Sequence, residues 1–285
     1  MEKNMVDRKN SQNRLLFFLA IAIGFSWLFW VPAAFIKQDI MNSSWVILLY
    51  IGGIGPALGG ILLTYLSKDK EVRREYWSRV FNIKRIGGLW YLVIFFVYPL
   101  LTGLISFFED GQIQFSEAGK ELLIQPLRII PFMLFLFIFG PFPEELGWRG
   151  YALDGLQGRM NPVTASLLLG TIWAFWHLPL FLMQGTYQHE LGLGSAAFWQ
   201  FIISAILISV FFTWIYNNNQ NSILSASLFH FSVNLTGNVL LEMGVLQTTR
   251  IAVLVVLAFL LVFFTKQNGL LGFIEQNELP NPRST

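Results

Sequence analysis

Long apolar runs separated by short polar connections dominate the chain. A helix needs roughly 20 apolar residues to cross a hydrocarbon core of about 30 Å. Runs of about that length predict eight membrane spans. They cover residues 15–35, 45–66, 89–108, 129–151, 162–183, 196–216, 223–241 and 251–264. The last run is short, so seven or nine spans are alternatives to eight.

The composition agrees with a membrane protein. Hydrophobic residues make up 54% of the chain and charged residues 13%, and the mean hydropathy of +0.56 lies far outside the usual soluble range. No stretch outside the spans is long enough to fold alone. The sequence therefore predicts an all-α, polytopic protein with a single membrane domain over residues 15–265. We expect a cytoplasmic segment at 1–14, a cytoplasmic tail at 266–285 and a catalytic core at about 126–241.

The basic residues predict the topology, because short cytoplasmic loops are enriched in Lys and Arg. With eight spans, all but four of the 19 Lys and Arg residues fall on the side of the two termini. The exceptions are Lys37, Lys120, Arg128 and Arg250. Both termini should therefore be cytoplasmic, in a multi-pass protein of the cell membrane. The formal charge of +2 follows from this topology, and no basic stripe with interleaved aromatic residues indicates a nucleic-acid partner.

Two further features of the sequence concern the reactive groups available to the protein and its first helix. The chain has no cysteine, which excludes disulfides, a thiolate nucleophile and a cysteine-ligated metal. The first apolar run is long enough to span and lacks a small-residue cleavage site, so it is expected to remain as the first helix.

Glu144 and Glu145 lie inside the fourth predicted span. Burying two adjacent carboxylates in a membrane costs several kcal/mol of free energy unless they pair with a cation or serve the function of the protein. Arg149 follows Glu145 by four residues on the same helical face, in the favourable order for an ion pair. Glu144 is turned by about 100° from that face and has no partner in its own helix. A carboxylate in such surroundings is a candidate general base.

Pro141 and Pro143 precede the two glutamates, and each removes a backbone donor from the helix. Carbonyl groups freed in this way need water or protein partners inside a membrane. Two interpretations stay open: an opening beside Glu144 that admits water, or a simple packing kink.

In the second span, Gly55 and Gly59 have the small-residue spacing that predicts close helix packing.

Two later spans each carry a histidine. Trp173 precedes His177 by one helical turn, and Asn234 follows His230 by one turn. A single membrane histidine is often a packing residue, but imidazole and amide groups are also the donors that hold a developing oxyanion. His189, beside Glu190 in an outer loop, is expected to face solvent. Asp154, near a helix end, is expected at the surface.

The motifs Glu144-Glu145-x-x-x-Arg149, Trp173-x-x-x-His177 and His230-x-x-x-Asn234 resemble, in this order, those of the CPBP family. This family groups eukaryotic type II CAAX prenyl endopeptidases with bacterial Abi and bacteriocin-immunity or bacteriocin-processing relatives. The resemblance covers about the C-terminal two thirds of the chain. Trp173 stands where Phe is commoner, a difference that should preserve an aromatic wall.

The resemblance implies an eight-span intramembrane glutamate endopeptidase whose cavity is open to the cytoplasm. By matching position, Glu144 and His177 would activate water, and His230 and Asn234 would stabilise the oxyanion. Glu145 and Arg149 would support them. The implied substrate is a hydrophobic or lipidated peptide or protein in the lipid bilayer. Eukaryotic relatives suggest a prenylated CAAX sequence, and bacterial relatives suggest peptides or small membrane proteins.

Several alternatives remain at the level of sequence. No cofactor is expected, but Glu144, His177 and His230 form a ligand set that zinc accepts, with water in the open position. Against zinc, neither His-x-x-x-His nor His-Glu-x-x-His is present. A second functional hypothesis is a non-catalytic immunity or peptide-binding protein that uses the same cavity. A third is a proton-coupled transporter, although no internal repeat of the kind typical of transporters is visible.

Overall fold

The computed structural model describes residues 2–67, 69–237 and 247–268, and the regular elements in these ranges are helices. The end of the seventh predicted span and nearly all of the predicted C-terminal tail lie outside these ranges. The α-helices are α1 (Glu2–Ala34), α2 (Val46–Gly53), α3 (Gly55–Leu66), α4 (Lys70–Phe81), α5 (Gly88–Leu92), α6 (Tyr98–Asp110), α7 (Glu117–Ile124), α8 (Pro126–Phe139), α9 (Pro141–Gly147), α10 (Leu153–Gln157), α11 (Pro162–Trp176), α12 (Tyr187–Leu191), α13 (Ala196–Asn218), α14 (Ile223–Leu235) and α15 (Gln247–Asn268).

The predicted all-helical, polytopic architecture is confirmed. Six helical segments of the described chain are long and apolar enough to cross a membrane, namely Asn13–Ala34, Val46–Leu66, Gly88–Glu109, Leu127–Gln157, Pro162–Leu182 and Ala196–Asn218. Two shorter apolar helices, Ile223–Leu235 and Ile251–Leu260, lie where the seventh and eighth runs were predicted. In two of these spans, Gly88–Glu109 and Leu127–Gln157, a short π-helical segment joins two α-helices, and the span Pro162–Leu182 ends in a 3-10 segment.

Glycines allow the N-terminal spans to approach closely. A Cβ atom on Gly55 would overlap the Ser26 side chain and the Ala22 carbonyl, and one on Gly59 would lie 3.1 Å from Phe18 Cδ2. The predicted packing role of these two glycines, against α1, is therefore confirmed.

Helix α3 also contacts α9, which carries the two glutamates. A Cβ atom on Gly60 would lie 2.6 Å from the Leu146 carbonyl oxygen, and one on Gly147 would overlap the Pro56 backbone. Because backbone meets backbone at this crossing, α3 fixes the position of α9 with little room for adjustment.

The basic connection between the second and third spans contains α4, a polar helix outside the predicted spans. The Asp69 side chain caps it by accepting from the Glu71 amide. Tyr76 donates its hydroxyl hydrogen to the Leu146 carbonyl oxygen at 2.8 Å. Burial raises the pKa of Tyr76, so the hydroxyl keeps its proton and remains a donor.

Arg79 on α4 ties this connection to the membrane helices. Its Nη1 lies 2.7 Å from Asp154 Oδ2, and its guanidinium group also donates to the Tyr216 hydroxyl. Tyr216 in turn donates to the other Asp154 oxygen at 2.7 Å. Asp154 is partly exposed, with 37% of its side-chain surface accessible as expected near a helix end, but its carboxylate also holds both partners. The spacing of acids and bases along the sequence gave no sign of this contact between distant segments.

Candidate active site

The fourth span is interrupted just before the two glutamates. Helix α8 ends at Phe139, Gly140 adopts φ −123° and ψ −98°, and α9 begins at Pro141. Proline suits the first position of a helix, where its missing N–H group would have no partner. Phe139 and Gly140 line the same cavity as Glu144. This geometry favours the opening beside Glu144 over a simple packing kink.

The chain then passes from α9 into a π-helical turn over Trp148–Ala152. Such turns disturb the regular hydrogen bonding of a helix and often occur at functional sites. Donors from α4 meet this segment: Tyr76 bonds to the Leu146 carbonyl oxygen, and Arg79 Nη2 donates to the Arg149 carbonyl oxygen at 3.3 Å. Helix α4 thus helps to hold the glutamate segment in place.

The predicted ion pair between Glu145 and Arg149 is confirmed. Arg149 Nη1 lies 3.0 Å from Glu145 Oε1, and both side chains are 0% exposed. Arg149 Nη2 also donates to Ser209 Oγ at 3.1 Å, and the guanidinium carbon lies 4.3 Å from the centre of the Phe212 ring. Partners on α9 and α13 therefore compensate the buried positive charge, as a charge away from water requires.

Glu145 has a second partner that sequence reasoning did not find. Its Oε1 lies 2.9 Å from His230 Nδ1 on α14. An ionised carboxylate only accepts hydrogen bonds, so the His230 proton is placed on Nδ1. The contact orients the ring and leaves Nε2 as the nitrogen available for chemistry.

Trp173 on α11 lies between the other site residues. Its indole Nε1–H donates to Glu144 Oε2 at 2.7 Å. The centre of its ring lies 5.3 Å from the ring centres of both His177 and His230. The residue therefore forms the expected aromatic wall, and it also supplies a hydrogen bond that a Phe at this position would lack.

His177 lies where α11 ends and a 3-10 turn over Leu178–Leu182 begins. Pro179 in that turn cannot supply the amide that would continue an α-helix. His177 Nδ1 lies 2.8 Å from the Trp173 carbonyl oxygen. Because a carbonyl oxygen only accepts, Nδ1 carries the proton and Nε2 of the neutral ring is an acceptor.

These residues meet in one cavity of about 350 Å³. Its polar wall contains Glu144, His177, His230 and Asn234, beside Trp173. Three separate spans therefore bring an acid, two imidazoles and an amide together, as the sequence motifs predict. Glu145 and Arg149 lie behind this wall, where both side chains are fully buried.

The rest of the cavity wall is mainly apolar and reaches beyond the reactive groups. It includes Leu136 and Phe139 from the fourth span and Phe201 and Ile208 from the sixth. Tyr187 and Gln188 of α12 also line it. On the same short helix, His189 is half-buried and its Nδ1 lies 3.2 Å from the Phe181 carbonyl oxygen, so it is less exposed to solvent than predicted.

The zinc alternative requires three ligand side chains around one point. Within residues 2–67, 69–237 and 247–268, no three His, Asp or Glu side chains are grouped closely enough to hold a metal ion. Glu144, His177 and His230 line a common cavity, but they do not form such a group. The arrangement therefore does not fit the zinc site that the sequence left open.

Comparison with known proteins agrees with this geometry. Residues 126–236, which include all three motifs, match the family model described as type II CAAX prenyl endopeptidase Rce1-like. A protein named CAAX prenyl protease 2 from Methanococcus maripaludis is 31% identical over 266 residues, which is 90% of this chain and 95% of that relative. The chain belongs to the Rce1-like family. It is an intramembrane protease, and this result favours the endopeptidase hypothesis over the binding-protein and transporter alternatives.

Proposed function

We propose that this Rce1-like protease cleaves a peptide bond by using Glu144 and His177 to activate water. The observation that supports this assignment is the single cavity that Glu144 shares with His177, His230 and Asn234. Hydrolysis needs a base, donors for the oxyanion and room for a peptide. The cavity lined by these residues offers all three.

The two activating groups have complementary roles. The Trp173 indole N–H holds one oxygen of Glu144, which leaves the other carboxylate oxygen to accept a water proton. His177 offers Nε2 as an acceptor, because its Nδ1 is bonded to the Trp173 carbonyl oxygen. Water held by both groups attacks the peptide carbonyl carbon. The proton taken from water passes to the leaving amine as the C–N bond breaks.

The oxyanion would be held by donors from α14. The Asn234 side chain is a donor at every pH because its amide is uncharged. His230 directs Nδ1–H to Glu145, so Nε2 becomes a donor only when the ring carries a second proton. Glu145 stabilises that cation in the way that a carboxylate supports a catalytic imidazolium.

The substrate in this proposal is a membrane-bound peptide with an apolar or lipid anchor. The mainly apolar wall beside the reactive groups suits such a chain. The relative from Methanococcus maripaludis is named CAAX prenyl protease 2, and we include prenylated peptides in the proposed class. The protein would act in the cell membrane, without a metal cofactor.

The test is hydrolysis by the purified protein in lipid, with a library of lipidated and unlipidated peptides. We expect new fragments with wild type and none with Glu144→Gln, because the amide cannot act as a base. Glu117→Gln, a change at an exposed glutamate outside the cavity, is the matched control and should cleave as wild type does. Equal cleavage by wild type and Glu144→Gln would contradict the assignment.

A further inference from the structure

The catalytic cavity contains one amide side chain that the proposed reaction does not use. Among the described residues that line the cavity, Asn234 and Gln188 are the two with side-chain amides. Asn234 belongs to the donors that hold the oxyanion, whereas Gln188 lies on α12, in the connection between the fifth and sixth spans. Gln188 therefore has no task in the chemical step itself.

The Gln188 side chain is half-buried, and it makes no hydrogen bond to the described part of the chain. A primary amide has two N–H donors and one carbonyl acceptor. Removing such a group from water costs free energy unless the group finds another partner. The Gln188 amide is thus available to a molecule that occupies the cavity.

Two contacts attach α12 to the turn that follows His177. The Thr186 side chain caps α12 by accepting from the His189 amide at 3.2 Å. The same hydroxyl group is buried and donates to the Leu180 carbonyl oxygen at 2.7 Å. Leu180 belongs to the 3-10 turn over Leu178–Leu182, which begins directly after His177. The position of α12 is therefore coupled to the position of the His177 backbone.

The connection that carries α12 also packs against the loop between the first and second spans. Gly185 has a φ of +88°, a backbone conformation that favours glycine. A Cβ atom at this position would overlap the Asp39 side chain. The segment from His177 to Gln188 is thus held on two sides, so the Gln188 amide keeps a fixed place relative to the His177 ring.

A peptide is the kind of ligand that this amide fits. An extended peptide carries an N–H and a C=O group at most residues, and each needs a partner once it leaves water. The cavity wall is mainly apolar and offers few such partners. A glutamine side chain accepts from an N–H group and donates to a C=O group, so it matches a peptide backbone of any sequence.

We propose that Gln188 binds the backbone of the substrate peptide and holds the scissile bond in register with Glu144 and His177. This inference rests on the proposed function, because it requires a peptide in the cavity. Without a polar contact to its backbone, an apolar peptide could slide along an apolar wall by one residue. Gln188 thus selects the bond that is cleaved, without reading the side chains around it.

The test measures binding of a fluorescent S-prenylated peptide to the purified full-length protein in lipid nanodiscs. Glu144→Gln is the parent protein, so that the peptide stays intact during the measurement. Gln188→Met is added to this parent, because methionine has a similar length and no amide. Gln184→Met is the matched control, since the Gln184 side chain is exposed on the same connection and does not line the cavity. Thermal unfolding of each variant checks that the fold is intact.

We expect Gln188→Met to bind the peptide about tenfold more weakly than the parent, a loss that two ordinary hydrogen bonds explain. Gln184→Met should bind as the parent does. A series of peptides, each with one backbone N–H group replaced by an ester oxygen, locates the contact. At one position the ester should weaken binding to the parent and leave binding to Gln188→Met unchanged, because two groups that bond to each other show such coupling.

Three results would overturn the proposal: equal binding by Gln188→Met and Gln184→Met, a loss in Gln188→Met that couples to no ester position, and no binding to the parent. The first would show that the amide does not contact the peptide. The second would show that the substitution acts only through the structure of α12.

Cleavage by Gln188→Met in the otherwise wild-type protein is a second measurement. KM should rise by about as much as binding weakens, with kcat close to wild type, as expected when a contact is equally strong before and during the reaction. Fragments cut one residue away from the wild-type position should also appear. An unchanged KM with the wild-type cut alone would contradict the proposal. Coupling at Gln188 without any product from wild type would leave the peptide contact in place and overturn the proposed reaction instead.

Discussion

Glu145 Oε1 lies 2.9 Å from His230 Nδ1, and the same oxygen lies 3.0 Å from Arg149 Nη1. One carboxylate oxygen thus serves an ion pair within the fourth span and a contact to the seventh. The adjacent Glu144 is left to face the cavity. The two neighbouring glutamates have different tasks because the helix turns them toward different partners.

Glu145→Gln should destabilise the protein and reduce its activity. Removing the charge leaves Arg149 buried without a counter-ion, which costs about 3–5 kcal/mol when a buried pair is broken. The amide also supports a cationic His230 less well than a carboxylate does. Thermal unfolding in detergent and the rate of peptide cleavage measure the two effects.

Glu71→Gln is the control for this prediction, because its pair with Arg74 is exposed and such pairs contribute about 0–1 kcal/mol. The double variant Glu145→Gln with Arg149→Met removes both buried charges and should recover part of the stability. Its activity should stay low, since His230 still lacks the carboxylate. Full activity in either Glu145 variant would contradict the role given to this contact.

Trp173→Phe separates the aromatic wall from the hydrogen bond to Glu144. The ring contacts with His177 and His230 should persist, but the indole N–H that holds Glu144 is lost. A hydrogen bond to a charged group contributes about 1.5–3 kcal/mol. Because Phe is commoner at this position in the family, we expect partial activity.

The measurement for Trp173→Phe is kcat/KM with the same peptide as for Glu144→Gln. We expect a loss of about tenfold, which corresponds to about 1.4 kcal/mol. Glu144→Gln should lose at least about a hundredfold, the lower range for general acid–base catalysis. A Trp173→Phe variant as inactive as Glu144→Gln, with unchanged thermal unfolding, would show that the indole has a larger role.

Much of this architecture was predictable from the order of residues alone. Apolar runs of span length predicted the membrane helices, and the four-residue spacing predicted the pair of Glu145 and Arg149. Such features depend on periodicity within one helix, which the sequence displays directly. The shared cavity was predicted through motifs on three spans, which carry the resemblance to a family.

The contacts that sequence reasoning missed join residues far apart in the chain. The bond from Glu145 to His230 and the ion pair of Arg79 with Asp154 depend on how spans pack, and no local spacing encodes that packing. Helix α4 was not predicted, because it is polar and lies outside the apolar runs from which the spans were identified.

Gly147→Ala should shift the glutamate segment without touching any reactive group. A methyl group at this position would overlap the Pro56 backbone of α3, and backbone cannot move aside as a flexible side chain does. Overpacking of this kind costs about 1–3 kcal/mol. We expect lower thermal stability and reduced cleavage, because α9 must move away from α3 and carry Glu144 and Glu145 with it.

Gly24→Ala is the matched control for Gly147→Ala. It lies in α1, and no atom would lie within 4 Å of its new methyl group. Since alanine favours a helix over glycine by about 1 kcal/mol, this change should be neutral or slightly stabilising. Gly147→Ala with wild-type stability and activity would show that the crossing of α3 and α9 is more adjustable than the structure indicates.

Cleavage should survive exhaustive chelation of the purified protein. In the described part of the chain the site offers no group of three ligand side chains, and the Glu144 oxygen nearest Trp173 is held by the indole N–H. The measurement is the cleavage rate before and after treatment with a strong chelator, together with the metal content of wild type and Glu144→Gln.

One outcome would instead assign Glu144 as a metal ligand. In that case chelation abolishes activity, added zinc restores it, and bound zinc is present in wild type but absent in Glu144→Gln. Such a result would require the two histidines and Glu144 to move together around the ion, and the role of Glu144 as the base that accepts a water proton would then be wrong.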